Sequence, residues 1–279
     1  RYISINESGI RYGPLDFGKI LFIRDVTYKK SLENDREMLI NDLENSNVKL
    51  LQLSKMKDDF LAIASHDLRS PLSGICGLTT LLLQDKDLST DHKDAISIIK
   101  ASSERQLNYI NDILDIIKIE RGQIKLDLTE VCLADLIKDC IEGLKVLAIQ
   151  KKIEITSSLP DARILKLDYN KIVQVMNNLI TNAIKFTRPG GNIKVCYIDN
   201  GSNEIEVHVV DNGIGIPEDR IQSIFKSDEI RKSVGTAGEK GTGLGLLICK
   251  NFLELHGVRI DIKSKINEGT DIYFILPVK

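Results

Sequence analysis

The residue best suited to chemistry in this 279-residue sequence is a histidine beside an acid. His66 and Asp67 lie in the stretch FLAIASHDLRSPL, where apolar spacing predicts a helix that Pro71 interrupts. A neutral imidazole is a nucleophile, and its ordinary pKa of about 6.5 keeps it mostly neutral in the cytosol. An acid that accepts the proton of one ring nitrogen would leave the lone pair of the other available. Adjacent helical residues diverge, however, so spacing alone does not pair Asp67 with His66.

The other three histidines are interpreted as structural or exposed residues. His92 lies at a predicted helix start, and His208 alternates with apolar strand residues, so it should face solvent. His256 precedes a glycine at a predicted helix end, where its charge would suit the helix dipole.

A second group of polar residues lies on a predicted helix, in QVMNNLITNAIKFT. Asn178 and Asn182 are four residues apart and Lys185 follows on the next turn, while the opposite face is apolar. Carboxamides can help hold Mg²⁺ without repelling the phosphates that the ion bridges, and a lysine supplies a cation for those phosphates. Solvated polar residues are the alternative, but three asparagines in this helical stretch, Asn177, Asn178 and Asn182, make it less favoured, because Asn is a mediocre helix former.

An acid and two glycines follow a predicted strand in HVVDNGIGIP. Asp211 at the strand end could accept a hydrogen bond from the amino group of a base, and Gly213 and Gly215 would let a ligand approach the backbone. The same residue types dominate ordinary turns, so this stretch alone decides nothing.

A glycine-rich segment, VGTAGEKGTGLGLLICK, runs directly into an apolar helix. Its exposed amides and the helix dipole would both favour a phosphate. The glycine spacing matches neither the GxxxxGK[ST] nor the GxGxxG pattern, which disfavours both of those nucleotide folds. A flexible lid is the alternative, and the two interpretations are compatible. The glycines concerned are Gly235, Gly238, Gly241, Gly243 and Gly245.

The elements that would carry His66 are long helices. Glycine and proline are absent from Lys29 to Ser65, and apolar residues there recur every seven positions, as in a two-stranded coiled coil. Three polar or charged residues interrupt the repeat, and a single amphipathic helix in a monomer is the alternative. The repeat comprises Leu32, Leu39, Leu53 and Phe60, with Leu43 and Leu50 on the complementary position and Arg36, Ser46 and Lys57 as the interruptions.

A second helix should follow the first after a short turn. The helical pattern continues to about Gln84, stops in DKDLSTD, resumes from Asp91 to Glu120 and ends before Gly122. Two helices joined in this way predict an antiparallel hairpin, and two hairpins from two chains would close a four-helix bundle. We therefore expect a homodimer.

After Gly122 strands and helices alternate. Helices are predicted over 133–151, 169–186 and 244–256, and a hairpin should turn at Asn200-Gly201. Helices that can cover one face of a mixed sheet indicate an α+β sandwich, so the chain combines an all-α part with an α+β domain.

Composition excludes some partners. A net charge of -2 and a pI near 6.2 are not the basic character expected of a nucleic-acid-binding protein, so we expect no DNA or RNA partner. Five cysteines without CxxC pairing indicate reduced, mostly buried thiols and a cytoplasmic location. No apolar run reaches the roughly 18 residues that span a bilayer. Because the chain opens on Arg1, we expect a fragment whose missing residues could anchor the full-length protein in a membrane.

Taken in this order, the three C-terminal stretches resemble the ATP-binding domain of sensor histidine kinases, a branch of the ATPase superfamily that includes DNA gyrase. The resemblance implies ATP and Mg²⁺ as cofactors, with Asn182 as the metal ligand and Asn178 and Lys185 at the phosphates or metal. Asp211 would bind the adenine amino group, and Thr270 in NEGTDIYFILP would close the adenine pocket. The resemblance further implies nucleotide contacts at Phe186, Gly213, Gly215, Gly241, Gly243, Leu244 and Gly245.

One position distinguishes branches of that superfamily. Hydrolytic members carry a glutamate four residues before the magnesium asparagine, where it activates water, whereas this chain has Asn178. ATP should therefore wait for a better nucleophile than water. The lid segment IFKSDEIRKS keeps only Phe225 of a motif that usually has two aromatic residues.

The segment SHDLRSPL resembles the H-box of the same kinases. The resemblance implies that His66 takes the γ-phosphoryl group of MgATP, with Asp67 as its acid partner, and passes it to an aspartate on the receiver domain of a response regulator. Ser70 stands where Thr or Asn usually orients water to dephosphorylate that regulator, so phosphatase activity is an open expectation.

Two short strands are predicted in the N-terminal segment, over 2–5 and 19–26, and its closing GKILFIRDVTYKK resembles the last strand and exit of a PAS sensor domain. The predicted domains are a PAS-like remnant (1–28), a coiled-coil signalling helix (29–53), a dimerisation and phosphotransfer hairpin (54–121) and the ATP-binding domain (122–279). Two other functions are compatible with the sequence. One is a phosphatase-dominant or pseudokinase dimer that binds ATP only as a conformational ligand, and the other is an ATPase whose helices are merely a dimerisation stalk.

Overall fold

The computed structural model of the chain describes residues 2–11, 17–85, 87–160, 162–199, 201, 204–221, 223–225, 234–239 and 241–278. They form two compact units, Arg1–Ile63 and Ala64–Lys279. Within these ranges, no helix combines the length and the apolar character that crossing a membrane requires.

The first unit begins with a β-hairpin. Strands β1 (Ile3–Arg11) and β2 (Phe17–Asp25) pair antiparallel, and both are longer than the sequence predicted. Helix α1 (Thr27–Leu83) starts two residues after β2. Asp25 Oδ1 accepts hydrogen bonds from the hydroxyl of Thr27 (2.6 Å) and from its backbone N–H (2.9 Å), and these bonds lower the pKa of Asp25. The hairpin is thus hydrogen-bonded to the first turn of the helix.

The coiled-coil positions on α1 are open to solvent in the single chain. No glycine or proline interrupts the helix before Pro71, which explains its length. Burying such a stripe requires another helix. The predicted seam residues Leu32, Leu39, Leu43, Leu50, Leu53 and Phe60 are all exposed.

The second unit begins with the predicted helical hairpin. From residue 64 onward α1 runs beside α2 (Thr90–Glu120), and Arg69 Nη2 donates to Asn111 Oδ1 across the hairpin at 2.6 Å. Ser89 caps α2 by accepting from the backbone N–H of His92. Gly122 follows α2 with a φ of 62°, as predicted for a helix-ending glycine. Pro71 lies inside α1, and the helix continues on both sides of it.

The rest of the second unit is an α+β sandwich, which confirms the predicted fold class. Its elements are β3 (Leu128–Cys132), α3 (Leu133–Gln150), β4 (Glu154–Ser158), β5 (Ile164–Asp168), α4 (Tyr169–Phe186), β6 (Asn192–Asp199), β7 (Glu204–Asp211), α5 (Glu218–Ile221), α6 (Gly245–Leu255), β8 (Ile260–Lys265) and β9 (Gly269–Pro277). One mixed sheet of five strands has the order β4-β6-β7-β9-β8, with β4 parallel to β6 and the other pairs antiparallel, and β3 pairs with β5 in a separate ribbon. Alternate strand residues such as Ile205 and Val207 are buried beneath α3, α4 and α6.

The β6–β7 hairpin has a longer connection than predicted. β6 ends at Asp199 and β7 begins at Glu204, so four residues, 200–203, connect the strands instead of two. Gly201 has a φ of 69°, and Asn200 lies outside the described residues. Asn-Gly favours a tight turn, but the register of the flanking strands determines the loop length.

Two histidines differ from their sequence-based interpretation. His208 lies on the outer face of the sheet but is only 9% exposed, because it stacks on Tyr273 and lies between Asp271 (3.1 Å) and Glu206 (3.3 Å). His256 does end α6, but its Nε2 accepts the backbone N–H of Asp168 at 3.1 Å. His256 therefore accepts a hydrogen bond from the start of another helix in addition to ending its own.

Candidate active site

His66, the histidine that the sequence analysis identified, is exposed to solvent. The side chain of His66 is 81% exposed on α1, and its Nδ1 is 3.2 Å from Asp67 Oδ1. With Nδ1 protonated and donating to that carboxylate, Nε2 carries the lone pair. The structure therefore brings together the pair that helical spacing did not predict. Ser70 is exposed one turn further along the same face of α1.

The polar face of α4 meets the glycine-rich segment. Asn178, Asn182 and Lys185 fall on one stripe of α4, four and then three residues apart. A Cβ added to Gly241 would lie 2.6 Å from Lys185 Nζ, and one added to Gly245 would lie 3.6 Å from the Asn178 carboxamide. The glycine-rich segment therefore passes close to α4 at these two glycines, where a side chain would leave less room.

Lys185 is 9% exposed, and its Nζ lies 4.6 Å from the centre of the Phe186 ring. Burial lowers the pKa of Lys185.

The acid at the end of β7 is buried among donors. Asp211 is 9% exposed, and its Oδ1 accepts the backbone N–H of Gly213 at 2.8 Å. Burial raises its pKa to about 6, while backbone donors at Gly213 and Thr270 act in the opposite direction. Asp211 lies opposite Thr270 in the β7–β9 register, and Thr270 Oγ1 is 2.9 Å from Ser264 Oγ. The acid and the threonine predicted to bind adenine are thus neighbours.

Glycines allow the backbone to pack closely around this acid. A Cβ on Gly213 would overlap the carbonyl of Phe186. The backbone just after β7 therefore packs directly against the end of α4. Gly215 has a φ of 67°, and a Cβ there would overlap the carbonyl of Lys265. Both glycines are required by packing, in addition to any ligand contact.

Other predicted residues have different settings. Gly243 has a φ of 79° just before α6. Leu244 lies in the hydrophobic core at 5% exposure, so it contributes to packing. Phe225 packs partly buried against the core, whereas residues 226–233 of the predicted lid motif lie outside the described residues.

The helical hairpin and the α+β domain meet through contacts that the sequence did not predict. Thr242 Oγ1 donates to Asp112 Oδ2 on α2 (3.3 Å), and Gln174 Nε2 donates to Asp115 Oδ2 (3.0 Å). Burial raises the pKa of Asp112 to about 6, with the bond from Thr242 opposing it and the charge of Asp115 adding to it. These polar residues carry no local signal, because their partners are 130 and 59 positions away. Among the described residues, no hydrogen bond or ion pair links His66 to this group.

The donors present suit a nucleotide with Mg²⁺. Asn182 offers a neutral amide oxygen, the type of ligand Mg²⁺ accepts, and Lys185 offers a cation beside open glycine backbone. Asp211 is a buried acceptor that can recognise an amino group.

Two family descriptions match the chain. Residues 56–122 match the His Kinase A (phospho-acceptor) domain. Residues 167–279 match the histidine kinase-, DNA gyrase B-, and HSP90-like ATPase. The first range contains His66, and the second contains α4 and the glycine-rich segment.

Curated relatives share both regions. The sensor protein GacS of Pseudomonas syringae pv. syringae is 33% identical over 240 residues, which cover 84% of this chain and 26% of that protein. The sensor protein SrrB of Staphylococcus aureus is 28% identical over 268 residues, which cover 94% of this chain and 45% of that protein. The chain thus spans less than half the length of these two relatives.

Solved structures share the fold. The crystal structure of full-length ShkA in complex with AMPPNP superposes with a TM-score of 0.64 at 26% identity, covering 78% of this chain and 45% of that one. The Acinetobacter baumannii histidine kinase AdeS superposes with a TM-score of 0.54 at 17% identity, covering 77% of this chain and 98% of that one, which shows the fold alone.

Proposed function

We propose that this chain, which belongs to the sensor histidine kinases, is the kinase part of a longer two-component sensor and transfers the γ-phosphoryl group of MgATP to His66. The observation that carries the proposal is the exposed His66 with Nδ1 at 3.2 Å from Asp67. A structural histidine would be expected to be packed, whereas this one presents Nε2 to solvent.

The transfer follows from the orientation of the ring. Nε2 of His66 attacks the γ-phosphorus in line with the leaving oxygen, and the P–O bond to ADP breaks. Attack leaves a positive charge on the ring, and Asp67 accepts the Nδ1 proton, so the product is a phosphorylated imidazole whose ring is neutral.

The ATP-binding domain supplies position and charge. Asp211 accepts a hydrogen bond from the adenine amino group, and Lys185 donates to the phosphates. When bound, Mg²⁺ neutralises phosphate oxygens, and Asn182 is its proposed ligand. Asn178 stands where a hydrolytic relative would carry a water-activating glutamate, and a carboxamide is no base. ATP bound here therefore waits for His66.

The active unit is proposed to be a homodimer. The seam of α1 is exposed in the single chain, and the hairpin helices expose further apolar residues that a second copy would bury. The exposed set on the hairpin includes Leu68, Ile75, Leu78, Leu81, Leu82 and Ile98.

The phosphoryl group is proposed to pass from His66 to an aspartate on a response regulator receiver domain. Phosphoramidates are labile, which suits relay better than storage. Ser70 lies one turn from His66 on the same face of α1, which supports a proposed role of its hydroxyl in orienting water to hydrolyse the phosphoaspartate of the regulator.

A labelling experiment tests this proposal. The chain incubated with γ-labelled ATP and Mg²⁺ should acquire label that is lost in acid and retained in base. His66→Gln should abolish the label, and the control His92→Gln, at the other exposed histidine of the hairpin, should not. Asp67→Asn should slow labelling by about 10²-fold or more, the usual cost of losing a general base. Phosphate released to water without labelled protein would favour an ATPase, and bound ATP with neither label nor release would favour a pseudokinase.

A further inference from the structure

A lysine outside the sequence motifs lies buried beneath the glycine-rich segment. Lys151 follows α3, and its side chain is 9% exposed. Its ammonium group donates to the backbone carbonyls of Ile184 and Lys185, each at 2.8 Å, and to Glu239 Oε1 at 2.6 Å. An ammonium has three hydrogens, so these acceptors use all of them.

Two of the acceptors belong to the end of α4. The last carbonyls of a helix lack intrahelical partners and carry the negative end of its dipole. Lys151 therefore caps the helix that presents Asn182 and Lys185. Because the capped carbonyl of Lys185 belongs to the same residue whose ammonium faces Gly241, the cap lies next to the predicted phosphate site.

The third acceptor belongs to the loop 234–239, which precedes Gly241, Gly243 and Gly245. Gly235 N–H donates to the carbonyl of Glu239 (2.8 Å), and Ala237 N–H donates to the Glu239 carboxylate (2.8 Å), so the loop closes on itself. Thr236 adds its own bonds to the carbonyl of Lys185, from N–H (3.0 Å) and Oγ1 (3.1 Å). The loop and Lys151 therefore share one anchoring carbonyl.

Charge supports the same arrangement. Burial would raise the pKa of Glu239, but the hydrogen bond from Lys151 and backbone donors outweigh it and hold that pKa below its usual value. Glu239 also opposes the lowering of the Lys185 pKa by burial. If Lys151 were removed, a carboxylate without its main partner would remain beside the site that receives phosphates, and like charges repel.

We propose that Lys151 is a positioning residue for ATP: it holds the loop 234–239 on the end of α4, so that Gly241 and Lys185 are placed for the phosphates. The inference rests on the proposed ATP-binding function. It concerns the phosphate half of the site. Asp211 and Thr270 are proposed to bind adenine, and they lie on β7 and β9, whereas the hydrogen bonds of Lys151 go to α4 and Glu239.

Binding measurements on the full 279-residue chain test it. Calorimetry of Lys151→Met should show MgATP binding weakened about tenfold, because a buried, charge-assisted bond is lost, while adenosine, which lacks phosphates, should bind as to the wild type. Hydrogen exchange should accelerate at the amides of Gly235 and Ala237. Lys151→Arg should restore part of the ATP affinity, since it keeps the charge and the donors.

Two further variants keep the test decisive. Lys145→Met is the matched control, because Lys145 forms an exposed pair with Glu142 on the same helix, and it should change nothing. Glu239→Ala removes the loop end of the bond without touching the buried lysine, and it should weaken MgATP as Lys151→Met does, with no further loss in the double variant.

Unchanged MgATP affinity in Lys151→Met and Glu239→Ala would overturn the inference. Equal weakening of adenosine would also overturn it, since it would show general loss of structure. Failure of the wild-type chain to bind MgATP would instead refute the proposed function.

Discussion

The ionisation of Asp211 gives a quantitative prediction about nucleotide affinity. Burial raises its pKa to about 6 from the usual 3.8, so the carboxylate gains a proton as the pH falls through about 6. A protonated carboxyl has lost much of its capacity to accept a hydrogen bond from the adenine amino group. Nucleotide affinity should therefore fall below about pH 6.

The size of the effect follows from the ionised fraction. With a pKa of about 6, roughly 97% of Asp211 is ionised at about pH 7.5 and roughly 10% at about pH 5. If only the ionised form binds, the dissociation constant should rise about tenfold between these values. Because the folded pKa lies above the unfolded one, this group stabilises the fold below about pH 4, and that contribution is lost as the pH rises through about 6. The loss of affinity in acid thus does not come from destabilisation by Asp211.

Calorimetric titration with MgATP at both pH values is the assay, with Asp211→Asn as the control. The phosphates of ATP also titrate in this range, but they do so equally with both proteins. The ratio of dissociation constants at about pH 5 and about pH 7.5 should therefore be about tenfold larger for the wild type than for the variant. Identical ratios would refute the argument from burial.

Three further predictions concern the fold. Asp112→Asn should raise the free energy of unfolding at about pH 7.5 by at most about 3 kcal/mol, reduced by solvent screening because Asp112 is only partly buried. The gain should be smaller at about pH 5, because the cost of a raised carboxyl pKa grows from about pH 4 and is complete only above about pH 6. Thermal unfolding at the two pH values measures the gain, and an equal gain at both would contradict this. Gly215→Ala should destabilise the chain by more than the roughly 1–2 kcal/mol of a left-handed conformation, since its Cβ would overlap the Lys265 carbonyl, whereas the unobstructed control Gly201→Ala should show only that cost in thermal unfolding. Leu39→Lys should shift the chain from dimer to monomer in analytical ultracentrifugation, and an unchanged dimer would place the interface elsewhere.

Local pattern was sufficient to predict most elements and the polar stripe of α4. The predicted helix over 169–186 matches α4 from end to end, because its apolar residues recur with helical period and Asp168 caps its first turn. The same period places Asn178, Asn182 and Lys185 on one face without knowledge of any partner. The PAS-like origin of the β-hairpin and the catalytic roles of the site residues stay predictions.

Contacts between distant residues could not be predicted in this way. Lys151 and Glu239 are 88 positions apart, and the neighbours of each in sequence give no sign that it pairs with the other. The pairing of His66 with Asp67 also depends on side-chain rotamers that spacing does not determine. The loop of the β6–β7 hairpin differed from the Asn-Gly prediction for a related reason, since strand register is a property of two strands.

The sequence by itself determined which residues could do chemistry and on which helix or strand each would lie, because helix and strand periods are local. Only the tertiary structure decided how those residues meet: the end of β7 against α4, the glycine segment against Lys185, and Lys151 beneath the loop that leads to it. It also decided which carboxyl groups are hard to ionise, since the pKa values of Asp211 and Asp112 depend on burial by segments far away in the chain. Burial and charge act through space, so neither can be read from neighbours in sequence.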